Sequence, residues 1–333
     1  MNSGVQVLLP GLFDLPLEEL DPGLLREQLP RLNFILGRAT PRDNQDYSID
    51  ALLARALLPP TDDGGAGLAM ASAFAGDDQA GERLMLAKAI HLRADMHGAI
   101  AIPISEEPEN IRDIDIIIND LKDYFKVDCD MSSVAAGLYL LRLRHFDPPT
   151  HYPHPLSVLG RNVNSFIEQS RSVMPWYRLV NEFQMFMHQH PLNAQRLQQG
   201  RLPINSLWAW GAGPAPVVSA KPLLYCDDPL LRRFGASLGM KLEPCSKLQG
   251  DADLGDALIV DLRLLQLLKT GDDARLDELL LEIENQLLKP LMQALQQRPV
   301  PLLLRAAYRL DFALGARARF KFWRRPGSLL DWR

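Results

Sequence analysis

Cysteine is scarce. The 333 residues contain three, Cys129, Cys226 and Cys245, far apart and without a C-x-x-C pair. That spacing excludes a disulfide framework and a zinc knuckle, and it suits a reducing compartment. Long apolar runs are missing as well: no window of about 18 uncharged apolar residues occurs, so no membrane span is expected. The N-terminal MNSGVQVLLPGLFDLP has no basic segment ahead of a long apolar run, which argues against a secretory leader. The cytoplasm is therefore the expected location, with no membrane partner. Nor is there a dominant charge of one sign. The formal net charge is -5, with acids and bases mixed along most of the chain, which disfavours a general nucleic-acid surface.

One local run departs from that balance. RARFKFWRR, Arg317 to Arg325, interleaves cations with Phe320, Phe322 and Trp323, a combination able to hold phosphate and stack bases. The alternative is a final amphipathic strand with its charges in water, and nucleic acid is not the expected partner. The common chemical signatures are absent too. The chain has no G-x-x-x-x-G-K-[ST] phosphate loop, no G-x-G-x-x-G after a strand, no G-x-S-x-G and no H-E-x-x-H, which removes the most recognisable enzyme classes.

What is present is a soluble globular composition, 47% hydrophobic and 23% charged, long enough for one large domain or two ordinary ones. VQVLL, Val5 to Leu9, reads as a buried strand stopped by Pro10-Gly11, and leucine-rich helical segments follow as far as Pro60. TDDGGAG, Thr61 to Gly67, is a loop by composition. From about Ala87 the pattern alternates and breaks at Met96-His97-Gly98, as a hairpin would. IRDIDIIINDLKDYF, Ile111 to Phe125, has helical spacing, and GLYLLRL, Gly137 to Leu143, is strand-like. HFDPPTHYPHPLS, His145 to Ser157, carries three histidines among four prolines. Prolines hold the backbone extended and seldom converge ligands, so a loop with exposed rings is expected and no metal.

Trp176 to Gly200 reads as a long amphipathic helix interrupted by Pro191 and closed by Gly200. After it, strand-like PLLYC (Pro222 to Cys226), DALIVDL (Asp256 to Leu262) and PLLLRAA (Pro301 to Ala307) alternate with helical segments, notably Asp273 to Gln297. Strands spaced by helices imply a mainly parallel sheet covered by helices.

Between these halves stands a cluster of polar and aromatic residues. His190, Asn193 and Arg196 recur every three residues and would share one side of a helix. Arg supplies a planar charged fork suited to phosphate or carboxylate, and Asn and His can supplement it. Equally, Asn can cap backbone groups near a turn and Arg196 can pair with a nearby acid. LPINSLWAWGAGPAP, Leu202 to Pro216, adds Asn205, Trp208, Trp210, Gly211 and Gly213. Period two puts both indoles on one face of an extended segment. There they either wall a pocket or anchor the loop into a core.

The stretch NEFQMFMHQHPLNAQRLQQGRLPINSLWAWGAGPAP, Asn181 to Pro216, together with HLRAD, His91 to Asp95, resembles a family labelled regulatory protein, RPFE type. That family is in turn similar to the archaeal type of cofactor-independent phosphoglycerate mutase, of the alkaline-phosphatase-like superfamily. The mutases carry a comparable H-P-x-N-x-x-R stretch, then a Gly, an Asn and a Gly-x-Gly, here His190, Pro191, Asn193, Arg196, Gly200, Asn205, Gly211 and Gly213. A later stretch ending in Gly239-Met240 is similar as well.

The resemblance implies an α/β chain: an alkaline-phosphatase-like three-layer α/β/α core formed by residues 1–86 and 201–333, with an inserted α+β domain at 87–200. It also implies, for the mutases, two divalent metals held by Asp and His. This chain departs from that pattern. Pro10-Gly11 stands where the first strand should end in Asp-Gly, RLLQLLKTGDD follows ALIVDL without the expected His, and no histidine occurs after His190. A two-metal site needs several carboxylates and imidazoles, so no metal, cofactor or phosphomutase activity is expected.

The expectation is a non-catalytic regulatory or interaction protein with a protein partner or an anionic metabolite bound by His190, Asn193, Arg196 and Asn205 beside the Trp208, Trp210, Gly211 and Gly213 wall. The alternative is a hydrolase or transferase acting on a phosphate or related ester through rebuilt acids, Asp14, Asp227, Asp228, Asp261 and Asp311, near strand ends.

Overall fold

The computed structural model describes residues 4–43, 48–57, 68–74, 83–167, 170–214, 216–218, 222–252, 254–306, 310–318 and 327–332. The loop expected at 61–67 and the basic-aromatic run from 319 to 325 lie outside them. The chain divides into two compact units, one made of residues 1–60 and 217–333, the other of residues 61–216.

The first unit is built on a seven-stranded sheet. Its strands are β1 (Val5–Leu8), β2 (Thr40–Asp43), β8 (Leu223–Cys226), β9 (Leu242–Glu243), β10 (Ala257–Val260), β11 (Leu302–Arg305) and β12 (Leu310–Leu314), in the order β2-β12-β11-β1-β10-β8-β9. Strands β11, β1, β10, β8 and β9 run parallel, with Val7 opposite Ile259 and Leu304, and β12 and β2 add an antiparallel edge.

Both faces of the parallel part are covered, as apolar strands without alternation require. Val5, Val7, Ile259, Leu302 and Leu304 pack in one cluster with Ile35, Leu36, Leu287 and Leu291 of flanking helices. Leu8, Leu224, Leu258 and Val260, the alternate positions, are buried as well. On their side, helix Pro229–Ser237 lies so near that a Cβ on Gly235 would meet Leu242 Cδ2 at 2.9 Å and Leu224 Cδ2 at 3.0 Å. This unit is an α/β sheet with helices on both faces.

The long helical pattern at 273–297 is continuous but changes pitch, with a π-helical stretch at Ile283–Leu288 between Leu276–Glu282 and Lys289–Gln297. Buried Glu284 lies in that stretch and accepts hydrogen bonds from the backbone N–H groups of Arg31 (2.7 Å) and Leu32 (3.1 Å). A carboxylate thus closes the N-terminus of helix Pro30–Arg38, where the dipole favours negative charge.

The second unit is α+β. Its five strands are β3 (Leu84–Asp95), β4 (Gly98–Pro103), β5 (Cys129–Ala135), β6 (Leu138–Leu143) and β7 (Ser206–Trp210), all antiparallel, in the order β4-β3-β6-β5 with β7 on β3. The turn expected at Met96-His97 joins β3 to β4. Helix Pro108–Tyr124 buries Ile114, Ile117, Ile118 and Leu121, and helix Met174–Gln189 buries Trp176, Leu179, Phe183 and Met187, each a stripe at helical spacing.

The division falls at 60/61 and 216/217, not at 86/87 and 200/201. The physical reason is pairing: β7 runs beside β3, from Leu86 opposite Trp210 to Ile90 opposite Ser206. The tryptophan segment, expected in the second part of the core, belongs to the second unit. His154 is also buried rather than an exposed loop ring, whereas His145 and His151 are exposed as expected.

Candidate functional site

The eight candidate residues all lie in the second unit, and local chain geometry decides what each can reach. Helix Met174–Gln189 ends at His190, which is extended (φ -65°, ψ 129°) and caps the next helix, Pro191–Gln198. Pro191 at the first helical position forces that break, since proline has no N–H to continue a ladder. The His190 ring then works from both nitrogens. Nδ1 accepts from the N–H of Leu192 at 3.2 Å, and Nε2 lies 3.1 Å from Asp120 Oδ2. Acceptance at Nδ1 puts the proton on Nε2, which donates to the carboxylate.

Asn193 is 2% exposed and fully used. Its Nδ2 donates to the carbonyls of Met187 (2.7 Å) and Ile204 (2.8 Å), and its Oδ1 accepts from Ile204 N–H (2.8 Å). Arg196, also 2% exposed, donates from Nε to the Leu202 carbonyl at 2.9 Å and from Nη1 to Asp113 Oδ2. Arg201 joins the same carboxylate at 2.7 Å and donates to Asn110 Oδ1 at 2.6 Å. Burial pulls the Arg196 guanidinium below its ordinary range, and the hydrogen bond to Asp113 pulls it back.

Asn205 continues the sheet just before β7 begins: Oδ1 accepts from the Leu92 N–H at 2.7 Å and Nδ2 donates to the Leu92 carbonyl at 2.9 Å. A side-chain amide thus replaces one backbone rung beside β3.

Trp208 and Trp210 point to one side of β7, as period two requires. Trp208 stacks on Tyr152 (centroids 5.1 Å apart, 20° between planes) and donates from Nε1 to the Pro153 carbonyl at 2.9 Å. Trp210 meets the edge of His154 at 5.5 Å. Burial drives the His154 pKa from 6.5 down to about 3, with the Lys88 charge a smaller cause, so the ring is neutral.

Gly211 has φ +74°, and a Cβ there would lie 3.2 Å from Ala71 N and 3.3 Å from Met70 N. What the glycine admits is the chain's own backbone, for Ala71 N–H donates to the Gly211 carbonyl at 2.9 Å. Gly213, at φ +123°, passes Ala69 in ordinary contact.

The expected convergence of His190, Asn193, Arg196 and Asn205 on one anion therefore meets a different arrangement. Each reaches a separate internal partner. The residues missed from sequence are those partners, Asp113, Asp120, Arg201 and Asn110. A signal existed: Asp113 and Asp120 stand seven apart in IRDIDIIINDLKDYF and so share a helix face.

The acids of the first unit gather at the C-terminal ends of its parallel strands. Asp261, just past β10, is 5% exposed and closed by Arg263, whose Nη2 lies 2.8 Å from Oδ2 and whose N–H donates to Oδ1 at 3.0 Å. Arg263 also reaches Glu282 at 3.0 Å, and its pKa is raised chiefly by the Asp261 hydrogen bond. Past β8, Asp227 accepts from Cys245 N–H at 3.1 Å and Asp228 caps helix Pro229–Ser237 through Leu231 N–H at 2.9 Å.

Asp311 of β12 faces Arg305 of β11 at 3.8 Å, and Asp14 is exposed. Burial pushes the Cys226 thiol up to about 12, which keeps it protonated near neutrality. Among the described residues, no three or more His, Cys, Asp or Glu side chains group so as to hold a metal ion.

An α/β sheet covered on both faces, interrupted in sequence by an α+β unit, is the class of protein these elements define. No family model matches the chain. The chain has weak sequence similarity to cofactor-independent phosphoglycerate mutases. The 2,3-bisphosphoglycerate-independent phosphoglycerate mutase of Methanosarcina mazei is 28% identical over 71 residues, 21% of this chain and 18% of that protein. The probable enzyme of the same name from Geobacter sulfurreducens is 33% identical over 64 residues, 19% of this chain and 16% of that protein. The matched segment thus spans less than a fifth of either relative.

Among solved structures, the cofactor-independent phosphoglycerate mutase of Thermoplasma acidophilum aligns over 95% of this chain and 90% of its own, with TM-score 0.42 and 17% identity. A protein of Pyrococcus horikoshii aligns over 98% and 91%, with TM-score 0.49 and 13% identity. No helix among the described residues is long and apolar enough to cross a membrane.

Proposed function

We propose that this chain is a non-catalytic regulatory or interaction protein on a phosphoglycerate-mutase-like fold, as its likeness to the RPFE-type family implies. The observation that carries the reading is the closure of Asp261 by Arg263. In open parallel sheets, ligands and chemistry gather beyond the C-terminal strand ends, and Asp261 occupies that position on β10, 5% exposed. A permanently charged guanidinium fills its coordination directions at 2.8 to 3.2 Å. A divalent cation would have to displace that arginine against a bidentate, part-buried ion pair.

Asp227 and Asp228 spend oxygens on backbone N–H groups in the same region, which further reduces the acids available for a rebuilt hydrolase or transferase site. We assign His190, Asn193, Arg196, Asn205, Trp208, Trp210, Gly211 and Gly213 to bracing the second unit rather than to an anion, because His190, Asn193, Arg196, Asn205 and the Trp208 indole N–H each meet a partner in the same unit, and Trp210 is 1% exposed with its indole N–H unpaired among the described residues. The free cysteines Cys129, Cys226 and Cys245 suit a cytoplasmic setting.

Metal content tests the reading. After stripping with EDTA, reloading with Mn²⁺ or Zn²⁺ and desalting, wild type is expected to retain well under one equivalent by elemental analysis. Stoichiometric retention in wild type, lost in Asp261→Asn, would overturn it and restore the hydrolase or transferase alternative.

A further inference from the structure

The second unit has an open groove of about 550 Å³ whose chemistry is opposite to that of an anion site. Its walls are the C-terminal parts of helices Pro108–Tyr124 and Met174–Gln189, with His190 and Pro191 in the lining. The surface is aromatic and apolar. Tyr124 and Phe186 lie 5.2 Å apart, Phe186 and His190 6.0 Å. Tyr124 and Met185 are 71% and 64% exposed, large apolar groups left in water on adjoining helices.

The charges of the lining are carboxylates, Asp120 and Glu182, and no Lys or Arg is among its residues. Asp120 is held by His190 at 3.1 Å and still 58% exposed. Glu182 has no ionic partner among the described residues. Lys122, the nearest lysine along the first helix, is drawn away to Asp130 at 3.5 Å.

We propose that this groove docks one amphipathic helix of a protein partner, its apolar face against Tyr124, Phe186 and Met185 and its Lys or Arg side chains against Asp120 and Glu182. Charge complementarity selects that occupant. An acidic rim repels phosphorylated or carboxylated ligands, attracts cations, and sets partner choice more than raw affinity. Exposed aromatic and Met groups between two helices are what an apolar helix face packs into. Tyr124 also offers a ring face to a cation. The proposal deepens the interaction reading and rests on it. It is measured apart from the metal content of the first unit, so either can fail alone.

The probe is a fluorescein-labelled helical peptide of leucine and lysine in amphipathic order, with a leucine–glutamate peptide of the same pattern as control. Fluorescence anisotropy at about 0.1 M salt is expected to show saturable binding of the lysine peptide, at least tenfold tighter than the glutamate peptide. Glu182→Lys and the double variant Tyr124→Ala/Met185→Ala, all at exposed positions that leave the fold intact by circular dichroism, are each expected to weaken it tenfold or more. Equal affinity for the two peptides, or unchanged affinity in both variants, overturns the proposal. So does displacement of the lysine peptide by butylammonium at a concentration equal to that of unlabelled peptide, which would make it a small-cation site.

Discussion

Replacing Asp113 by alanine asks directly whether Arg196 braces the fold or waits for a ligand. Arg196 is 2% exposed and Asp113 13%, and Arg196 Nη1 donates to that carboxylate. Removing the carboxylate leaves a buried guanidinium uncompensated, a class of change that costs about 3–5 kcal/mol. The lost bridge to Arg201, which is 22% exposed, adds less than about 1 kcal/mol.

Arg196→Met is gentler. Methionine keeps most of the apolar stem in place, and Asp113 retains Arg201 at 2.7 Å. What is lost is the hydrogen bond to the Leu202 carbonyl and the one to Asp113, about 1–3 kcal/mol together. The expected order is therefore Asp113→Ala worse than Arg196→Met by about 2 kcal/mol, with both destabilised. Urea unfolding followed by tryptophan emission reads the right unit, since Trp176, Trp208 and Trp210 are buried there, and hydrogen exchange across residues 191–210 localises the effect. Stability of Arg196→Met within about 0.5 kcal/mol of wild type would refute the bracing argument. So would a thermal shift by a phosphorylated metabolite that this variant abolishes.

Three further outcomes follow from the same geometry. Asn205→Ala removes both Leu92 hydrogen bonds, at 2.7 and 2.9 Å, and is expected to cost about 1–3 kcal/mol in urea. No loss would mean that water replaces the amide. Gly211→Ala puts a Cβ in left-handed backbone 3.2 Å from Ala71 N, whereas Gly200→Ala, at φ +71°, meets nothing within 4 Å. Both incur the left-handed cost of about 1–2 kcal/mol, and Gly211→Ala should show the lower Tm of the two.

The His154 pKa lies near 3 in the folded chain, below its ordinary 6.5, so the unfolded chain takes the extra proton first. Stability is accordingly full above about pH 6.5 and falls as the pH drops toward 3, by up to ~5 kcal/mol. His154→Asn, which keeps an acceptor for the Leu156 N–H, should flatten that part of the profile, and an unaltered slope would place its source elsewhere.

Elements with strong local signals were readable in advance. β1, β10 and β11 are short apolar runs ended by turn residues or charge, and the β3–β4 turn at Met96-His97 interrupts a clear alternation. The break at His190 was legible because Pro191 cannot extend a helix. What stayed hidden depends on long-range pairing. β7 looked like a loop entering the core because Gly211 and Gly213 follow it, yet its partner β3 lies more than a hundred residues earlier. β5, β2 and β9 are polar or very short, so their edge positions left little periodicity. In the site, the three-residue spacing of His190, Asn193 and Arg196 is plain in the sequence. Their partners Asp120, Met187, Ile204, Leu202 and Asp113 come from separate segments, and no local pattern distinguishes a satisfied arginine from one facing a ligand.

That distinction also governs what the mutase-like stretch can say about activity. Within it His190, Asn193 and Asn205 land on backbone groups of the second unit, fixing a helix break and a strand entry, and Gly211 makes a tight turn. Such requirements are set by packing and hydrogen-bond closure, and they persist whether or not chemistry survives elsewhere. The acids Asp227, Asp228 and Asp261 follow strands of the other unit's sheet. Bracing of the Asn181 to Pro214 stretch therefore constrains the fold of its own unit and leaves the acids at the strand ends of the other unit a separate question. At one of those strand ends the acid is already engaged, for Arg263 pairs with Asp261 at 2.8 Å.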